Sequence, residues 1–472
     1  MQTRLPERAP SITLLLLVLI ILGLSPPVNS QPIPATVIYN PPATPSMPLP
    51  VIGYAPAIVP VSGVIRVLII AAAFPDVNYT LSIAQLRKAW FDAVAKYYHE
   101  VSYGKLTIQG DIYGWYTLPY PKAHYGKNCK AINDADCSGT DQSYQIANDA
   151  TPLAEKAVNF SNYDYYVFIH SGTGQETSGL KDDIWSVTYM SGIWIRTDSR
   201  TLTKFNIVPE LEAQPSVPNG VWCLEFGHNL GLPDLYNTNA AKTILGPWEL
   251  MDEGSFNGNP PGSSPAHMTA WDKIKLGFIS GPMLATAYPG ITSTFTVDPT
   301  EIASTKLHAI KIQFTNAADT DPGQYYLVEV RAKTGFDSAL PAAGVLITYV
   351  DETLLIGPVH LINHAAVTNL NYAVWSVNQT FTDSDHKLSV TITRKVGNSY
   401  QITVTDNNQQ RKSIGASPET KQRVKSPKNL STQWSTQCKM TFTVDESFKN
   451  LRFLDFSTSV LTVIRQVDHS QF

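Results

Sequence analysis

The residues best suited to chemistry lie in the segment 221–236, VWCLEFGHNLGLPDLY. Glu225, His228 and Asp234 fit the zinc-binding pattern H-E-x-x-H-x-x-G-x-x-D, and Gly231 fits its glycine. Zinc held by three side chains lowers the pKa of a bound water to about 7, and a neighbouring glutamate can take the proton of that water. The pattern therefore indicates metal-assisted hydrolysis.

The first ligand position departs from this pattern. Leu224 stands where a histidine is expected, and a leucine side chain has no lone pair to give to a metal. Glu225 would then be the catalytic base, and His228 and Asp234 the two remaining metal ligands. Zinc held by only two side chains should bind weakly, so Leu224 decides whether the site hydrolyses anything.

A helix must position these residues. Asn219 is a suitable N-cap for a helix running to Leu230, and Gly231 can take the left-handed conformation that ends it. A periodicity of 100° per residue gives this helix a cleft face with Leu224, Glu225 and His228, and a core face with Trp222, Phe226 and Leu230.

Other side chains are weak substitutes for the missing ligand. Cys223 lies about 140° around the helix from His228, which favours a packed thiol. His170 or His267 could reach the site from elsewhere in the fold, but each alone is more typical of a hydrogen-bonded histidine. Glu225 could bind the metal itself, at the cost of removing the base.

The N-terminus has the layout of a secretory signal. Arg4 and Arg8 precede the apolar run Leu14–Leu22, and small residues at Val28 and Ser30 suit cleavage before Gln31. The apolar run is short for a membrane span, so an uncleaved anchor is the alternative. We therefore expect a secreted, extracellular protein with no membrane span after signal removal. The net charge of −4 gives no sign of nucleic-acid binding.

Four cysteines are compatible with secretion. Cys129 and Cys137 bracket the short polar loop CKAINDADC and could form a disulfide, although two free thiols remain the alternative. The sequence suggests no pairing for Cys223 or Cys438.

The 472 residues predict several domains. We expect a signal peptide (1–30), a Pro-rich linker or pro-segment (31–63), a metallopeptidase-like domain (64–285), a β-sandwich-like domain (286–406) and a polar, basic tail (407–472).

In the first domain we expect a buried strand from Val64 and a helix with Leu86, Trp90, Val94 and Tyr98 on one face. A strand pair near Leu106–Leu118 should follow, and then a strand Tyr165–His170 with a glycine-bearing flexible loop after it. The β-domain is predicted from six short runs: Phe295–Val297, Ala309–Phe314, Tyr325–Arg331, Gly344–Val350, Lys387–Thr393 and Tyr400–Thr405.

Several segments together resemble the secreted metallopeptidases of the immune inhibitor A type, peptidase family M-six. Besides the active-site motif, LGPWELMDEGSFNG (245–258) resembles the methionine turn of that family, and Met251 is its methionine. SPAHMTAWDKIKLGFI (264–279) resembles the helix that follows, and the resemblance extends over roughly residues 64–405. It implies an α+β fold, with a metzincin-like zinc-peptidase domain followed by an all-β sandwich-like domain.

The resemblance implies one catalytic zinc and hydrolysis of peptide bonds in extracellular proteins or peptides by a monomer. Calcium is a further candidate ion, with no site that the sequence identifies. Two hypotheses follow from Leu224. The first is a zinc metalloendopeptidase whose activity is impaired; the second is an inactive pseudopeptidase that serves as an extracellular protein-binding module. Leu224 leaves open whether the chain is an enzyme.

Overall fold

The computed structural model describes residues 58–126, 142–180, 183–212, 219–240, 242–314, 323–364 and 369–406. The predicted signal peptide, most of the Pro-rich segment, the Cys129–Cys137 pair and the C-terminal tail lie outside these residues. Within the described ranges, no helix has the length and apolar character needed to span a bilayer.

A five-stranded sheet forms the centre of the first half of the chain, with strand order β2-β1-β3-β7-β4. Its first four strands run parallel, and β4 pairs antiparallel with β7 at one edge. The strands are β1 (Gly63–Ala73), β2 (Leu106–Thr117), β3 (Tyr165–Thr173), β4 (Val187–Tyr189) and β7 (Phe205–Leu211), and a small ribbon is formed by β5 (Ile195–Arg196) and β6 (Thr201–Leu202).

Helices cover both faces of this sheet, as expected for parallel strands. α1 (Ile83–Trp90) continues through a π-helical turn, Phe91–Ala95, into α2 (Lys96–Val101). The remaining helices are α3 (Lys122–Tyr125), α4 (Tyr144–Ala154), α5 (Gln175–Ser178), α6 (Asn219–Asn229) and α7 (Ala270–Lys275).

The alternation of β1 explains why it is buried throughout. Val67 and Ile69 belong to the core shared with α1, α2 and α6, whereas Leu68 and Ile70 belong to the core shared with α4. Successive side chains of a strand point to opposite faces, so a continuous apolar run is what a strand covered on both sides requires. The predicted strand and the predicted apolar helix face are both confirmed.

Two predictions in this half are wrong. The expected strand pair is one twelve-residue strand, β2, which pairs with β1 along its whole length. Gly110 is not a turn residue: a Cβ there would lie 1.9 Å from the Val67 carbonyl oxygen, so glycine permits close backbone approach. The loop after β3 also contains a helical turn, α5, which its glycines did not suggest.

The second half of the chain is built from two further sheets. Their strand orders are β13-β12-β11-β10-β8 and β14-β15-β16-β9. The strands are β8 (Leu284–Ala287), β9 (Ser293–Val297), β10 (Ala309–Gln313), β11 (Gln324–Arg331), β12 (Gly344–Asp351), β13 (Val359–Leu361), β14 (Thr380–Asp383), β15 (Leu388–Val396) and β16 (Ser399–Asp406).

One hydrophobic core receives side chains from both of these sheets. Val328 and Ile347 enter it from one sheet, and Val390 and Ile402 from the other; all four are fully buried. All six predicted β runs are strands. The whole described structure is therefore α+β.

The β-strands also contribute to the core beneath α6. Leu327, Val350 and Val359 belong to the same hydrophobic cluster as Trp222 and Phe226. Apolar burial is therefore continuous from the peptidase-like part into the β part, which matters for the stability of the site.

Candidate active site

Helix α6 carries the motif and is almost entirely buried. Trp222 and Phe226 are each 1% exposed and anchor the helix in the core, as their spacing predicted. Asn219 does not act as the expected N-cap: it is the first helical residue, and its Oδ1 has no hydrogen-bond partner among the described residues. An N-cap residue stands just before the helix, where its side chain can accept from the first free N–H groups, whereas Asn219 already lies inside the helix.

The chain reverses immediately after α6. Gly231 has a φ of 103°, and the amide of Leu232 donates to the Gly227 carbonyl at 3.1 Å. The Leu232 carbonyl then lies 2.7 Å from Nδ1 of His228. Glycine is required here because the backbone enters a region that side chains with a Cβ rarely adopt.

This reversal brings Asp234 back to His228. Nε2 of His228 and Oδ1 of Asp234 are 3.2 Å apart. Burial by itself would lower the pKa of His228, but the Asp234 carboxylate outweighs it and raises that pKa to about 9. The two residues therefore form an ion pair at neutral pH, with His228 buried and Asp234 partly exposed.

Glu225 lies close to this pair and is held by the edge strand β4. The Thr188 hydroxyl lies 2.6 Å from Oε2 of Glu225, and the Asn206 side-chain amide donates to the Glu225 main-chain carbonyl at 2.8 Å. Burial raises the pKa of Glu225 to about 7, although His228 and Thr188 counteract it. Its carboxyl can therefore exchange a proton near neutral pH.

Sequence reasoning missed three side chains around this site. Thr188 and Asn206 come from β4 and β7, and no local pattern connects them to the motif. Tyr236 lies near Asp234, and burial together with the charge of Asp234 raises the pKa of Tyr236. Its position two residues after a motif aspartate was the only sequence signal available.

Leu224 differs from its neighbours in α6 in being only partly buried. Its side chain packs against the edge of the core that contains Trp222 and Phe226. Its hydrocarbon side chain has no donor atom to offer to a cation.

Met251 lies directly against the motif helix. It is fully buried, and its Sδ is 2.7 Å from where a Cβ on Gly227 would stand. The predicted methionine turn therefore packs against the α6 turn between Glu225 and His228.

The side chains that could replace the missing ligand are buried or make other contacts. Cys223 is fully buried, and burial raises the pKa of its thiol well above the ordinary value, as expected for a packed side chain. His267 contacts the Glu100 carboxylate at 2.8 Å and Nζ of Lys273 at 3.1 Å. His170 lies on β3, fully buried, with its Nδ1 3.1 Å from the Ser171 carbonyl.

Comparison with known proteins agrees with this geometry. Residues 73–183 and 161–278 match the family model described as immune inhibitor A peptidase M6, catalytic domain. This region is a peptidase M6 domain. The match spans β2, β3, β4 and β7 of the central sheet, α6, the turn to Asp234 and Met251.

Individual peptidase relatives show the same likeness. Immune inhibitor A of Bacillus thuringiensis subsp. alesti is 27% identical over 217 residues, which cover 38% of this chain and 31% of the relative. The pre-pro-metalloprotease PrtV of Vibrio cholerae serotype O1 (strain M66-2) is 27% identical over 215 residues, 39% of this chain and 23% of the relative. The matched region thus spans less than a third of either relative. The similarity to metallopeptidases thus concerns residues 73–278, somewhat less than half of the chain.

The residues present do not fit the metal that a metallopeptidase domain implies. Catalytic zinc takes three protein ligands, and this cleft offers His228 and Asp234, which contact each other. The third position holds Leu224. Across the described residues, no group of three His, Cys, Asp or Glu side chains is arranged to hold a metal ion.

Proposed function

We propose that this chain is a secreted peptidase M6 protein that binds extracellular protein segments in its cleft and hydrolyses their peptide bonds poorly. One observation carries the proposal: Leu224 supplies no ligand in a motif whose other members are all in place. The signal-like pattern of residues 1–30 supports secretion. The M6 match supports a metzincin-like first domain, and the core shared by the last two sheets supports a sandwich-like second domain.

The edge strand supports peptide binding. β4 lies at the edge of the central sheet, and its Thr188 contacts Glu225, so an extended peptide added to that edge would pass the carboxyl group. Unpaired N–H and C=O groups of an edge strand bind extended peptides without requiring a particular sequence. This arrangement favours a protein or peptide ligand.

Poor hydrolysis follows from the donor set. Glu225 can accept a proton near neutral pH, but a carboxylate acting on ordinary water lacks the electrophilic assistance that a metal would give to the carbonyl. The His228–Asp234 ion pair is satisfied without a cation. The same ion pair favours a second candidate function, an inactive pseudopeptidase that binds extracellular proteins.

Metal content and proteolysis test the proposal together. The purified native chain should contain well under one zinc per molecule after dialysis and should cleave casein slowly. L224H should raise both, because it restores the third ligand. Metal analysis by mass spectrometry and release of labelled peptides from casein are the measurements.

Two matched variants show whether the imidazole of L224H is responsible for the gain in zinc binding and cleavage. L224Q adds a polar side chain of similar size without an imidazole and should restore neither property. L224H/E225Q should bind zinc but remain slow, because the base is lost. Stoichiometric, tightly held zinc in the unaltered chain would overturn the proposal, whereas zinc uptake by L224H without faster cleavage would favour the pseudopeptidase.

A further inference from the structure

A short segment ahead of β1, residues 58–61, lies against the reversal that follows α6. Apart from the chain neighbours of Gly231, one heavy atom of the described residues lies within 4 Å of a Cβ placed on that glycine: Cα of Ile58, at 3.8 Å. The backbone of this segment therefore passes the reversal at van der Waals distance. Residues 58–61 are called the strap below.

The other end of the strap is fixed to the turn that follows α7. The amide of Val61 donates to the Leu276 carbonyl at 3.1 Å. A Cβ on Gly277 would lie 3.0 Å from Cβ of Pro60, so the strap also packs closely on this turn. The strap thus joins the end of α7 to the end of α6.

Two side chains of the strap add apolar contacts. Ile58 and Val61 are partly buried and pack against the hydrophobic core that contains Leu230 and Leu232. Val59, between them, is 69% exposed. A chain end that only leads into a strand usually lacks such anchoring, whereas buried apolar area and a backbone hydrogen bond give the strap a fixed position.

The reversal that the strap covers determines the two contacts of the His228 ring. The Leu232 carbonyl lies 2.7 Å from Nδ1, and Oδ1 of Asp234 lies 3.2 Å from Nε2. Both groups follow Gly231 within three residues, so a shift of the backbone at this glycine would move them together. Contact with the strap restrains that shift.

We propose that the strap is a retained part of the peptidase-like domain that positions the His228–Asp234 pair, so that any maturation of the chain cuts before Ile58. A cut within residues 31–57 leaves the strap attached to β1, which begins at Gly63. A cut between Ile58 and Gly63 removes it and frees the reversal. This role requires neither a metal nor peptide hydrolysis, so it can fail independently of the proposed function.

Hydrogen exchange in the full-length chain tests the strap. I58S removes a packed side chain, and V61P removes the amide hydrogen that the Leu276 carbonyl accepts. Both variants should speed amide exchange in residues 229–235 by about tenfold or more, while the amides of β11 keep their native protection. V59S changes the exposed neighbour of Ile58 and should exchange like the native chain. Mass spectrometry of peptic fragments measures both regions.

Two further readouts separate positioning from a general loss of stability. The Nδ1–H signal of His228 in a ¹⁵N-histidine NMR spectrum should shift in I58S and V61P but not in V59S, because its acceptor is the Leu232 carbonyl. The N-terminus of the secreted chain, read by mass spectrometry, should lie at or before Ile58.

Three results would overturn the proposal. The first is native exchange of residues 229–235 in both I58S and V61P. The second is equal acceleration of exchange in β11, which would show general destabilisation. The third is a secreted chain that begins at Gly63 or later and still protects the amides of residues 229–235.

Discussion

Oδ1 of Asp234 lies 3.2 Å from Nε2 of His228, and the same carboxylate helps to raise the pKa of Tyr236. In a metal site these oxygen and nitrogen atoms would point at a cation, whereas here they satisfy each other. A pair of this kind resists metal binding, because a cation must first compete with existing hydrogen bonds. Because the chain has Leu224 where the pattern predicts a third ligand, no further metal–ligand bond would offset the cost of breaking these contacts.

The buried ring of His170 leads to a prediction of how the stability of the fold depends on pH. Its Nε2 is buried and has no hydrogen-bond partner in the part of the chain that the structure describes, and burial, reinforced by Lys122, lowers the pKa of His170 to about 3. A lowered histidine pKa means that the folded state favours the neutral ring. This contribution to stability is complete above the unfolded pKa of about 6.5 and is lost as the pH falls from there towards 3.

His170→Phe should remove this acid sensitivity. Relative to the variant, the native chain should lose about 2 kcal/mol in free energy of unfolding between pH 7 and pH 5. Urea unfolding at the two pH values measures the difference. His124→Phe replaces an exposed ring and should give an unchanged profile; parallel profiles for the native chain and H170F would contradict the prediction.

At the scale of elements, α6 is fixed by what packs against its glycines. Gly220 lies against the Ser255 carbonyl, and Gly227 lies against Met251 and the Tyr98 hydroxyl. Both positions are tight enough that a methyl group would collide. The helix therefore cannot shift to let Leu224 withdraw or another side chain enter.

Gly227→Ala should destabilise the protein by about 1–3 kcal/mol, because the new methyl group would stand 2.7 Å from Sδ of Met251. Denaturant unfolding measures the cost. Met251→Ala also destabilises the protein by leaving a cavity, but the double variant should be more stable than the sum of the two costs predicts. Additive costs would show that the methionine turn does not press on α6.

At the scale of the whole molecule, a buried cationic side chain links the β part to the methionine turn. Arg331 on β11 is fully buried and donates to the Trp248 carbonyl at 2.7 Å and to the His267 carbonyl at 3.2 Å. The same guanidinium contacts Asp337 at 2.6 Å and Glu301 at 3.0 Å. Its loss would leave buried acids without a counter-charge while also freeing the segment that precedes Met251.

Arg331→Met should therefore lower the free energy of unfolding by about 3–5 kcal/mol, the cost typical of breaking a buried ion pair from one side. Arg394→Met removes an exposed arginine and should change stability by less than about 0.5 kcal/mol. Calorimetry or denaturant unfolding distinguishes the two. A small effect of R331M would mean that the two parts of the chain hold together without this link.

Much of the fold could be predicted because the relevant signals are local. The apolar run of β1, the four-residue spacing of Leu86 and Trp90, and the six β runs each reflect the faces that a strand or helix must bury. Two of the predictions that failed concern glycine: at Gly110, for example, glycine permits close pairing of two strands, whereas the local sequence favours a turn. Only the partner strand distinguishes the two uses.

By itself, the sequence determined the motif helix, its glycine reversal and the departure from the zinc-binding pattern at Leu224, since spacing and residue type set all three. Tertiary structure alone decided that Thr188 holds Glu225, that His228 pairs with Asp234 and that Arg331 joins the β part to the site. These contacts join residues that are distant in the chain or depend on burial, and a local pattern encodes neither proximity nor loss of solvent.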